Sequence, residues 1–576
     1  MGAPEPPGRR EVGARPLVAR VLPDVAALNR PFSYLVPDAL RDRVTVGTVV
    51  RVPLHGRRVR GWVVGLADEA GTDKRLLPIA KVSSNGPAPD LVDLAAWAGW
   101  RWAGPSTRFL STATPPRAVF GPGPGPAGAG GEPGVRVARV PPAGDPFPLV
   151  LDAARRGPAL VLLPSLAEAS IMAGRLRHAG ERVALMPDGW AAAAAGGCTV
   201  VGSRAAAWAP APGLVAAVVI DEHDEAYQEE RAPTWNARDV VIERATRAGV
   251  PCVLTSPCPS LEVLAGFPVD VPARGEERAG WPAVEVVDRR EEPPGSGLYS
   301  PRLVALAREA TPDARVVCVL NRKGRVVLLA CAACRELARC EACDGPLEST
   351  PERLRCRRCG LTQPAVCRWC GSTRFRSLRV GVTKAREELE LLAGQPVDEV
   401  TADSVERPSA SVLAGTEAVL HRVAGAKVVA FLDFDQEVLA PRYRAGERAL
   451  GLLARAGRLV GGRGDGRGGR VLLQTRLPGH EGIDAALHGD PSRWSVVEGA
   501  RRAALRLPPE TALARVSGAN ATEVIDRLGD RLGIELLGPA GDRWLVRAAD
   551  HRALCDALAA AGRVTGARVE VDPLRA

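Results

Sequence analysis

Residues 218–227 read VVIDEHDEAY, an apolar run that ends in a cluster of carboxylates. An apolar strand ending in Asp-Glu is typical of the acidic box of nucleic-acid motors, where a carboxylate holds Mg²⁺ against the phosphates of ATP. This interpretation predicts a partner loop of the form G-x-x-x-x-G-K-[ST] upstream, because that loop surrounds the same phosphates. In the alternative interpretation, Asp221 and Glu222 cap the strand and pair with arginines.

The expected phosphate-binding loop is missing. None of the five lysines both follows a glycine and precedes a serine or threonine: Lys74, Lys81, Lys323, Lys384 and Lys427. Residues 140–148, which occupy the place of the loop, read VPPAGDPFP. The prolines remove N–H donors that would wrap the phosphates, and Asp145 would repel a nucleotide. The sequence therefore favours the structural role for the acidic box.

Eight of the thirteen cysteines lie between Cys331 and Cys370, in four CxxC pairs. In a chain without an export signal such pairs indicate zinc, and eight cysteines suffice for two closed, structural Cys₄ sites. Spacing does not fix which pairs share a metal. We favour a nested arrangement, with an inner and an outer set: Cys340, Cys343, Cys356 and Cys359; Cys331, Cys334, Cys367 and Cys370. The five other cysteines are predicted to be core residues.

Composition and charge indicate a cytoplasmic protein with a polyanionic partner. The chain has 576 residues and a net charge of +10, carried almost wholly by arginine, which favours DNA or RNA. No apolar run reaches the roughly 20 residues of a membrane helix, and the N-terminus lacks a secretory signal. We therefore expect no membrane association.

The pattern of apolar runs predicts an α/β multidomain chain. Short strands separated by polar turns indicate a β-rich N-terminal domain, and strands alternating with helices indicate two parallel sheets followed by a small α+β domain. The predicted divisions are a disordered segment (1–15), the N-terminal domain (16–115), a Gly/Pro linker (116–145), a first lobe (146–268), a second lobe (269–480) with the cysteine insertion (329–375), and a C-terminal domain (481–576).

The order of these motifs resembles the primosomal replication-restart (PriA) family over almost the whole chain. The resemblance is carried by VVIDEHDEAYQEERAPTWNARD, LTSPCPSLE, NRKGRVVLLACAAC with the cysteines that follow, and PRYRAGERALGLL. Family members are superfamily-2 DNA helicases that bind forked DNA and load further restart proteins. The resemblance implies a 3′-end DNA-binding domain at 16–115, RecA-like lobes at 146–268 and 269–480, and eight zinc-ligating cysteines. It also implies that Asp221 and Glu222 are the acidic box.

Four residues are predicted to contact DNA. The resemblance implies that Phe32 and Gly56 line a pocket for the terminal 3′ nucleotide, although Ser33 replaces the aspartate of the family. Arg58 and Arg60, on the strand RRVRGWVVG, are predicted phosphate contacts. Tryptophans such as Trp62 either stack on bases or belong to the core, and we favour the core.

Departures from the family pattern lead to the functional prediction. Besides the phosphate loop, GTEAVLHRVAGAK from Gly415 lacks the lysine and the following histidine-aspartate of the corresponding family motif G-T-Q-M-x-x-K-G-H-D-F, and LLARAGRLVGGRGDGRGG does not identify an arginine finger. We therefore interpret the chain as a degenerate member whose lobes remain as a scaffold. It would bind stalled or forked DNA and its 3′ ends and recruit other primosome or replisome-loading proteins, without helicase activity, as a monomer with two Zn²⁺ per chain. The alternatives are an active ATP-dependent 3′ to 5′ helicase and a zinc-ribbon nucleic-acid-binding protein of transcription or repair.

Overall fold

The protein folds into two compact units. The first contains Met1–Gly134, Leu151–Val218 and Arg231–Pro251, and the second contains Val135–Val150, Val219–Glu230 and Cys252–Ala576. The computed structural model describes residues 17–25, 28–67, 76–121, 123, 125, 133–292, 297–320, 328–350, 353–356, 359–378, 382–401, 404, 408–529 and 531–574. The segment predicted to be disordered, 1–15, lies outside these residues. Within them, no helix has the length and apolar character needed to cross a bilayer.

The N-terminal domain is a five-stranded antiparallel sheet with a helical hairpin, as the strand pattern predicted. Its elements are β1 (Val18–Pro23), β2 (Phe32–Leu35), β3 (Val49–Leu54), β4 (Arg57–Ala67), β5 (Lys81–Ser84), α1 (Pro89–Arg101) and α2 (Ser106–Ala113). The strand order is β2–β1–β4–β3–β5, and Leu35 of β2 also bridges to Pro78 just before β5. Val50 and Val52 point into the apolar core while Arg51 between them is exposed, which is the period of two expected for a half-buried strand.

Strands and helices alternate over residues 134–270. The elements are β6 (Gly134–Arg139), α3 (Phe147–Arg156), β7 (Ala159–Leu162), α4 (Leu166–His178), β8 (Val183–Leu185), α5 (Trp190–Ala195), β9 (Thr199–Gly202), β10 (Ala216–Val219), α6 (Ala237–Ala248), β11 (Pro251–Ser256), α7 (Leu261–Gly266) and β12 (Val269–Asp270). The strand order is β10–β7–β9–β8 in the first unit and β12–β6–β11 in the second.

One element differs from the sequence interpretation. Residues 134–139, GVRVAR, were predicted to be part of a Gly/Pro linker but form β6, which pairs in parallel with β12. The two arginines in this segment interrupt its apolar pattern, so the strand depends on tertiary pairing that the sequence does not display.

The second lobe is a six-stranded, fully parallel sheet of the kind found in RecA-like lobes, interrupted by the cysteine insertion. Its elements are α8 (Arg274–Gly280), β13 (Ala283–Asp288), α9 (Pro301–Arg308), β14 (Val316–Val319), β15 (Leu328–Cys331), β16 (Leu347–Ser349), β17 (Arg353–Cys356), β18 (Thr362–Pro364), β19 (Phe375–Leu378), α10 (Val382–Ala393), β20 (Val397–Val400), β21 (Val412–Gly415), α11 (Val419–Arg422), β22 (Val428–Phe431), α12 (Asp435–Val438), α13 (Ala445–Val460) and β23 (Arg470–Thr475).

Both faces of this sheet are buried. The strand order is β13–β23–β22–β14–β21–β20, with parallel pairing throughout. Along β14, Val316 and Cys318 enter one apolar cluster, while Val317 and Val319 enter the cluster on the opposite face. Burial on two faces explains why these strands are continuously apolar. The insertion carries two small antiparallel sheets, β15–β19 and β16–β17–β18.

The C-terminal part is the small α+β domain that the sequence predicted. Its elements, with the two helices before it, are α14 (Glu481–His488), α15 (Ser492–Ala504), β24 (Ala512–Ser517), α16 (Ala521–Leu528), β25 (Ile534–Ala540), β26 (Arg543–Ala548), α17 (His551–Ala561) and β27 (Arg568–Val571). The strands form an antiparallel sheet in the order β25–β26–β24–β27.

Candidate functional site

The acidic box lies just beyond the end of β10 and is buried. Asp221 and Glu222 are 3% and 1% exposed, and Asp221 adopts a left-handed backbone conformation with φ of 55°. The carboxylate of Asp221 accepts hydrogen bonds from both Nη atoms of Arg458 in the last turn of α13; the Nη2–Oδ1 distance is 2.5 Å. Although burial raises the pKa of Asp221, the Arg458 guanidinium outweighs it and lowers that pKa below its usual value. Asp221 is therefore a charged group whose two oxygens both face an internal cation.

The second carboxylate of the box caps a helix. Glu222 accepts hydrogen bonds from the backbone N–H of Ser260 at 2.7 Å and from its Oγ at 2.8 Å, immediately before α7. A carboxylate that binds N–H groups at a helix N-terminus satisfies donors that the helix leaves open. Glu222 thus has a structural partner in Ser260.

The loop between β6 and α3 occupies the position of a phosphate-binding loop, but its donors point into the protein. The backbone N–H of Val140 donates to Ser256 O (3.1 Å), that of Ala143 to Gly280 O (3.0 Å), and that of Gly144 to Pro141 O (2.8 Å). The N–H of Phe147 donates to Oδ1 of Asp145 at 3.0 Å. These N–H groups therefore do not form the outward-facing set of donors that binds an anion.

Close packing seals this loop. A Cβ built on Gly280 would lie 2.5 Å from Cβ of Pro141, and one on Gly457 would lie 3.1 Å from Cβ of Pro142. The cavity that remains beside Asp221, Arg455 and Arg458 has a volume of about 50 Å³. This volume is well below the roughly 300–1,000 Å³ of typical ligand pockets.

A second set of ion pairs surrounds the same cavity. Arg448 of α13 pairs with Glu225 just after the acidic box and with Glu417 before α11, and its Nε lies 3.8 Å from Oε2 of Glu437. Arg442 lies 3.4 Å from Glu225. Burial lowers the pKa of Arg448, but the three surrounding carboxylates raise it above its ordinary value.

The eight clustered cysteines form two groups of four. The groups are the two sets of the nested arrangement: Cys331, Cys334, Cys367 and Cys370; Cys340, Cys343, Cys356 and Cys359. Within each group the sulfur atoms all lie within 4.8 Å of one another, and the closest pairs, such as Cys331–Cys370 and Cys343–Cys356, are 3.5 Å apart. Separations of this size fit four thiolates around one tetrahedral ion with metal–sulfur bonds of about 2.3 Å. Each group can therefore hold a metal ion.

The four CxxC pairs share one backbone geometry. The carbonyl of the first cysteine accepts the N–H of the residue four positions later, as in Cys331 with Arg335 (3.0 Å) and Cys367 with Gly371 (2.9 Å). All four such residues have positive φ angles: Arg335, 67°; Asp344, 55°; Gly360, 77°; Gly371, 73°. This tight turn directs both sulfurs of a pair to the same side.

The residues predicted to contact DNA lie in the N-terminal domain but differ in their surroundings. Phe32 begins β2 and is half-buried beside the Arg30 guanidinium, and Gly56 lies at the exposed turn between β3 and β4 with φ of 75°. Arg58 is exposed on β4. Arg60 instead pairs with Asp24 at 3.1 Å, donates to Ser111 and stacks on Trp62. Trp62 itself is fully buried, as the core interpretation predicted.

Three curated proteins are similar to this chain over long stretches, and one domain matches a described family. Residues 20–115 match the PriA 3′DNA-binding domain (3′BD). The replication restart protein PriA of Treponema pallidum is 29% identical over 384 residues, which cover 60% of this chain and 57% of that protein. The probable PriA of Mycobacterium leprae is 31% identical over 59% of this chain and 55% of its own length. The probable PriA of Mycobacterium tuberculosis strain CDC 1551 is 28% identical over 89% of either chain. The chain is thus similar to PriA proteins along most of its length.

The first two of these PriA matches span little more than half of the curated relative. The matched 20–115 region contains all four residues predicted to contact DNA, whereas the acidic box and the cysteine clusters lie outside it. For this chain, the activity of the full-length relatives is therefore a proposal.

Sequence reasoning missed two features of this PriA-like chain. It named no arginine in LLARAGRLVGG, whereas Arg458 in this stretch is the partner of Asp221. It also missed a cavity of about 850 Å³ whose wall includes Trp369 of the cysteine insertion, Arg476 after β23 and Leu545 of β26. These wall residues come from three distant segments, so no local pattern in the sequence indicates them.

Proposed function

We propose that this protein binds stalled or forked DNA during replication restart and recruits replisome-loading proteins, without hydrolysing ATP. The match of residues 20–115 to a 3′DNA-binding domain supports the DNA-binding part of the proposal. The relatives named replication restart protein support its place in restart and disfavour a transcription or repair role.

The sealed β6–α3 loop is the observation that carries the non-catalytic part. Phosphoryl transfer depends on N–H donors, a lysine and a metal that position the phosphates. In this chain the donors of Val140, Ala143 and Gly144 bind carbonyls of the protein itself, and Asp221 binds Arg458. These contacts favour a lobe retained as a scaffold over an active helicase.

DNA recognition is proposed to use Phe32, Gly56 and Arg58. Phe32 and Gly56 would line the pocket for a terminal 3′ nucleotide, and Arg58 would bind a phosphate because its guanidinium is exposed. Arg60 is more favourably placed to hold β4 against Asp24 and Ser111 than to contact DNA. On the cysteine insertion, Trp369 is 58% exposed with the Arg368 guanidinium 4.9 Å from its ring, a combination that suits stacking on bases.

We propose that each cysteine group holds one Zn²⁺, giving two per chain. Four thiolates per ion are typical of structural zinc, and closed sites leave no position for water or substrate. The ions would fix the fold of the insertion between β15 and β19, which has only small apolar clusters of its own.

The remaining assignments follow from the same proposal. The N-terminal domain at 16–115, the lobes at 146–268 and 269–480, the insertion at 329–375 and the C-terminal domain at 481–576 are proposed as its parts. The protein would act in the cytoplasm as a monomer, with forks, 3′ ends and other primosome proteins as partners.

A binding experiment tests the proposal. Fluorescence anisotropy with a fork that carries a free 3′ end should show tighter binding than with plain duplex of the same length, and both affinities should weaken steeply with salt. Phe32→Ala should reduce the preference for the fork, while Phe120→Ala, at an exposed phenylalanine outside the matched residues 20–115, should leave it unchanged. Equal affinity of the unaltered protein for fork and duplex would contradict the proposal.

A further inference from the structure

Helix α13 reaches the acidic box at several points within the second unit. Arg458 binds both carboxylate oxygens of Asp221, and Arg448 pairs with Glu225 and Glu417. On the same helix, Glu447 accepts the backbone N–H of Leu261 at 2.9 Å, at the start of α7. One helix therefore contacts the acidic box, the following loop and α7 at once.

Two glycines allow this close approach. A Cβ on Gly451 would lie 3.0 Å from Cδ2 of His223, and one on Gly457 would lie 2.9 Å from Cδ of Pro282. Glycine inside a helix is less favourable than alanine by about 1 kcal/mol, so its presence at both contacts indicates a packing requirement. The helix face that carries the arginines is thus shaped to lie against the loops that would otherwise surround a nucleotide.

The Arg458 guanidinium satisfies the needs of the Asp221 carboxylate. Asp221 is almost fully buried, and a buried carboxylate without a cation or donors is strongly unfavourable. Two parallel N–H donors from one guanidinium supply both the charge and the hydrogen bonds. In a motor lobe the corresponding charge comes from a bound metal ion with its nucleotide.

We infer that Arg458 is an internal substitute for the metal–nucleotide complex. Its contact with Asp221 holds α13 against the acidic box permanently. This inference rests on the proposed absence of ATP use. The arrangement of the second unit around Asp221 is then independent of nucleotide and Mg²⁺. The fork-binding scaffold would keep one conformation around Asp221, whereas a motor changes conformation as it binds and hydrolyses nucleotide.

Hydrogen–deuterium exchange of peptides covering 219–230 and 445–460 tests this inference. In the unaltered protein, Mg²⁺ with a non-hydrolysable ATP analogue should leave their exchange rates unchanged. Arg458→Gln should raise those rates by at least about tenfold, because the buried carboxylate of Asp221 loses the guanidinium that donates to both of its oxygens. Arg302→Gln is the matched control, since Arg302 of α9 also pairs with a carboxylate, Glu285 at 2.6 Å; it should leave both peptides unchanged.

The double variant Asp221→Asn with Arg458→Gln separates the pair from general damage. Removing both charges should return exchange toward the rates of the unaltered protein. If Arg458→Gln gives no folded protein, recovery of folded chain in the double variant supports the inference, and failure of the double variant contradicts it. Unaltered exchange in Arg458→Gln, or protection by the ATP analogue in the unaltered protein, would also overturn it. These measurements use no DNA, so their failure leaves fork binding standing, whereas loss of fork preference would remove the proposed function alone.

Discussion

At the residue scale, Arg58 and Arg60 show how two similar side chains acquire different roles. They lie two positions apart on β4 and face the same side of the strand, opposite Pro53 and Arg51 respectively. Arg58 is exposed, while Arg60 pairs with Asp24 and stacks on Trp62. Both were predicted to contact phosphates, because Asp24 and Ser111, which bind Arg60, are distant from it along the chain.

Substituting these two arginines should separate DNA contact from support of the fold. Arg58→Gln should weaken DNA binding at all sequences and reduce the slope of log K against log [salt] by about 0.7–0.9, the amount expected for one phosphate contact. Arg60→Gln should instead lower the melting temperature and leave the salt slope nearly unchanged. Anisotropy titrations at several salt concentrations measure the slope, and the reverse pattern would remove Arg58 from the DNA interface.

The acidic box was partly predictable for the same kind of reason. The missing lysine and the prolines of 140–148 are visible in the sequence, so the structural role of Asp221 and Glu222 was the favoured interpretation. Their partners, Arg458 and Ser260, could not be identified. Arg455 and Arg458 lie in the same stretch, LLARAGRLVGG, and both line the cavity beside Asp221, so the sequence does not indicate which of them binds its carboxylate.

At the scale of single elements, α13 is defined by what it packs against. Its apolar residues enter the core of the second lobe, as Leu453 and Ala456 do, while Gly457 faces Pro142 and Pro282. The loop at 140–148 and α13 therefore pack directly against each other, and this close packing requires that Gly457 has no side chain.

A pair of glycine substitutions tests the seal. Gly457→Ala should lower the melting temperature, because a Cβ only 2.9 Å from Pro282 costs about 1–3 kcal/mol of overpacking and outweighs the better helix propensity of alanine. Gly499→Ala, inside α15 with no atom within 4 Å of the new Cβ, should raise it. Thermal unfolding followed by circular dichroism measures both, and stabilisation by Gly457→Ala would show that the loop is not sealed.

The cysteine turns were the most predictable elements. Four CxxC pairs indicate tetrahedral sites, and the nested grouping follows from the compactness of an inner finger, although spacing alone left other groupings open. The left-handed residues were less evident: Gly360 and Gly371 fit such turns by residue type, whereas Arg335 and Asp344 occupy the same position without being glycine.

Removing one ligand should remove one metal. Cys356→Ser is expected to lower the zinc content from two ions to one per chain and to increase proteolysis within the insertion, since Cys356 also belongs to its apolar cluster. Cys252→Ser, at a buried cysteine outside both groups, should retain both ions. Mass spectrometry measures the zinc content per chain, and retention of two ions by Cys356→Ser would refute the grouping.

At the scale of the whole molecule, the fold class was predictable and the boundaries were less so. Continuous Val/Leu/Ile strands alternating with helices predicted the parallel sheets, because burial on both faces leaves a direct signature in the sequence. The strand β6 left no such signature, since Arg136 and Arg139 break its pattern and its pairing with β12 is long-range. The large cavity beside the cysteine insertion was hidden for the same reason.

We propose that the whole protein binds forks without turning over ATP. The most direct measurement is steady-state ATP hydrolysis with Mg²⁺ and forked DNA at saturating concentration, on a preparation whose fork binding is titrated in parallel. We expect clear fork binding and a hydrolysis rate equal to that of a protein-free blank. DNA-stimulated turnover in the ordinary enzymatic range, about 1 s⁻¹ or above, would contradict it.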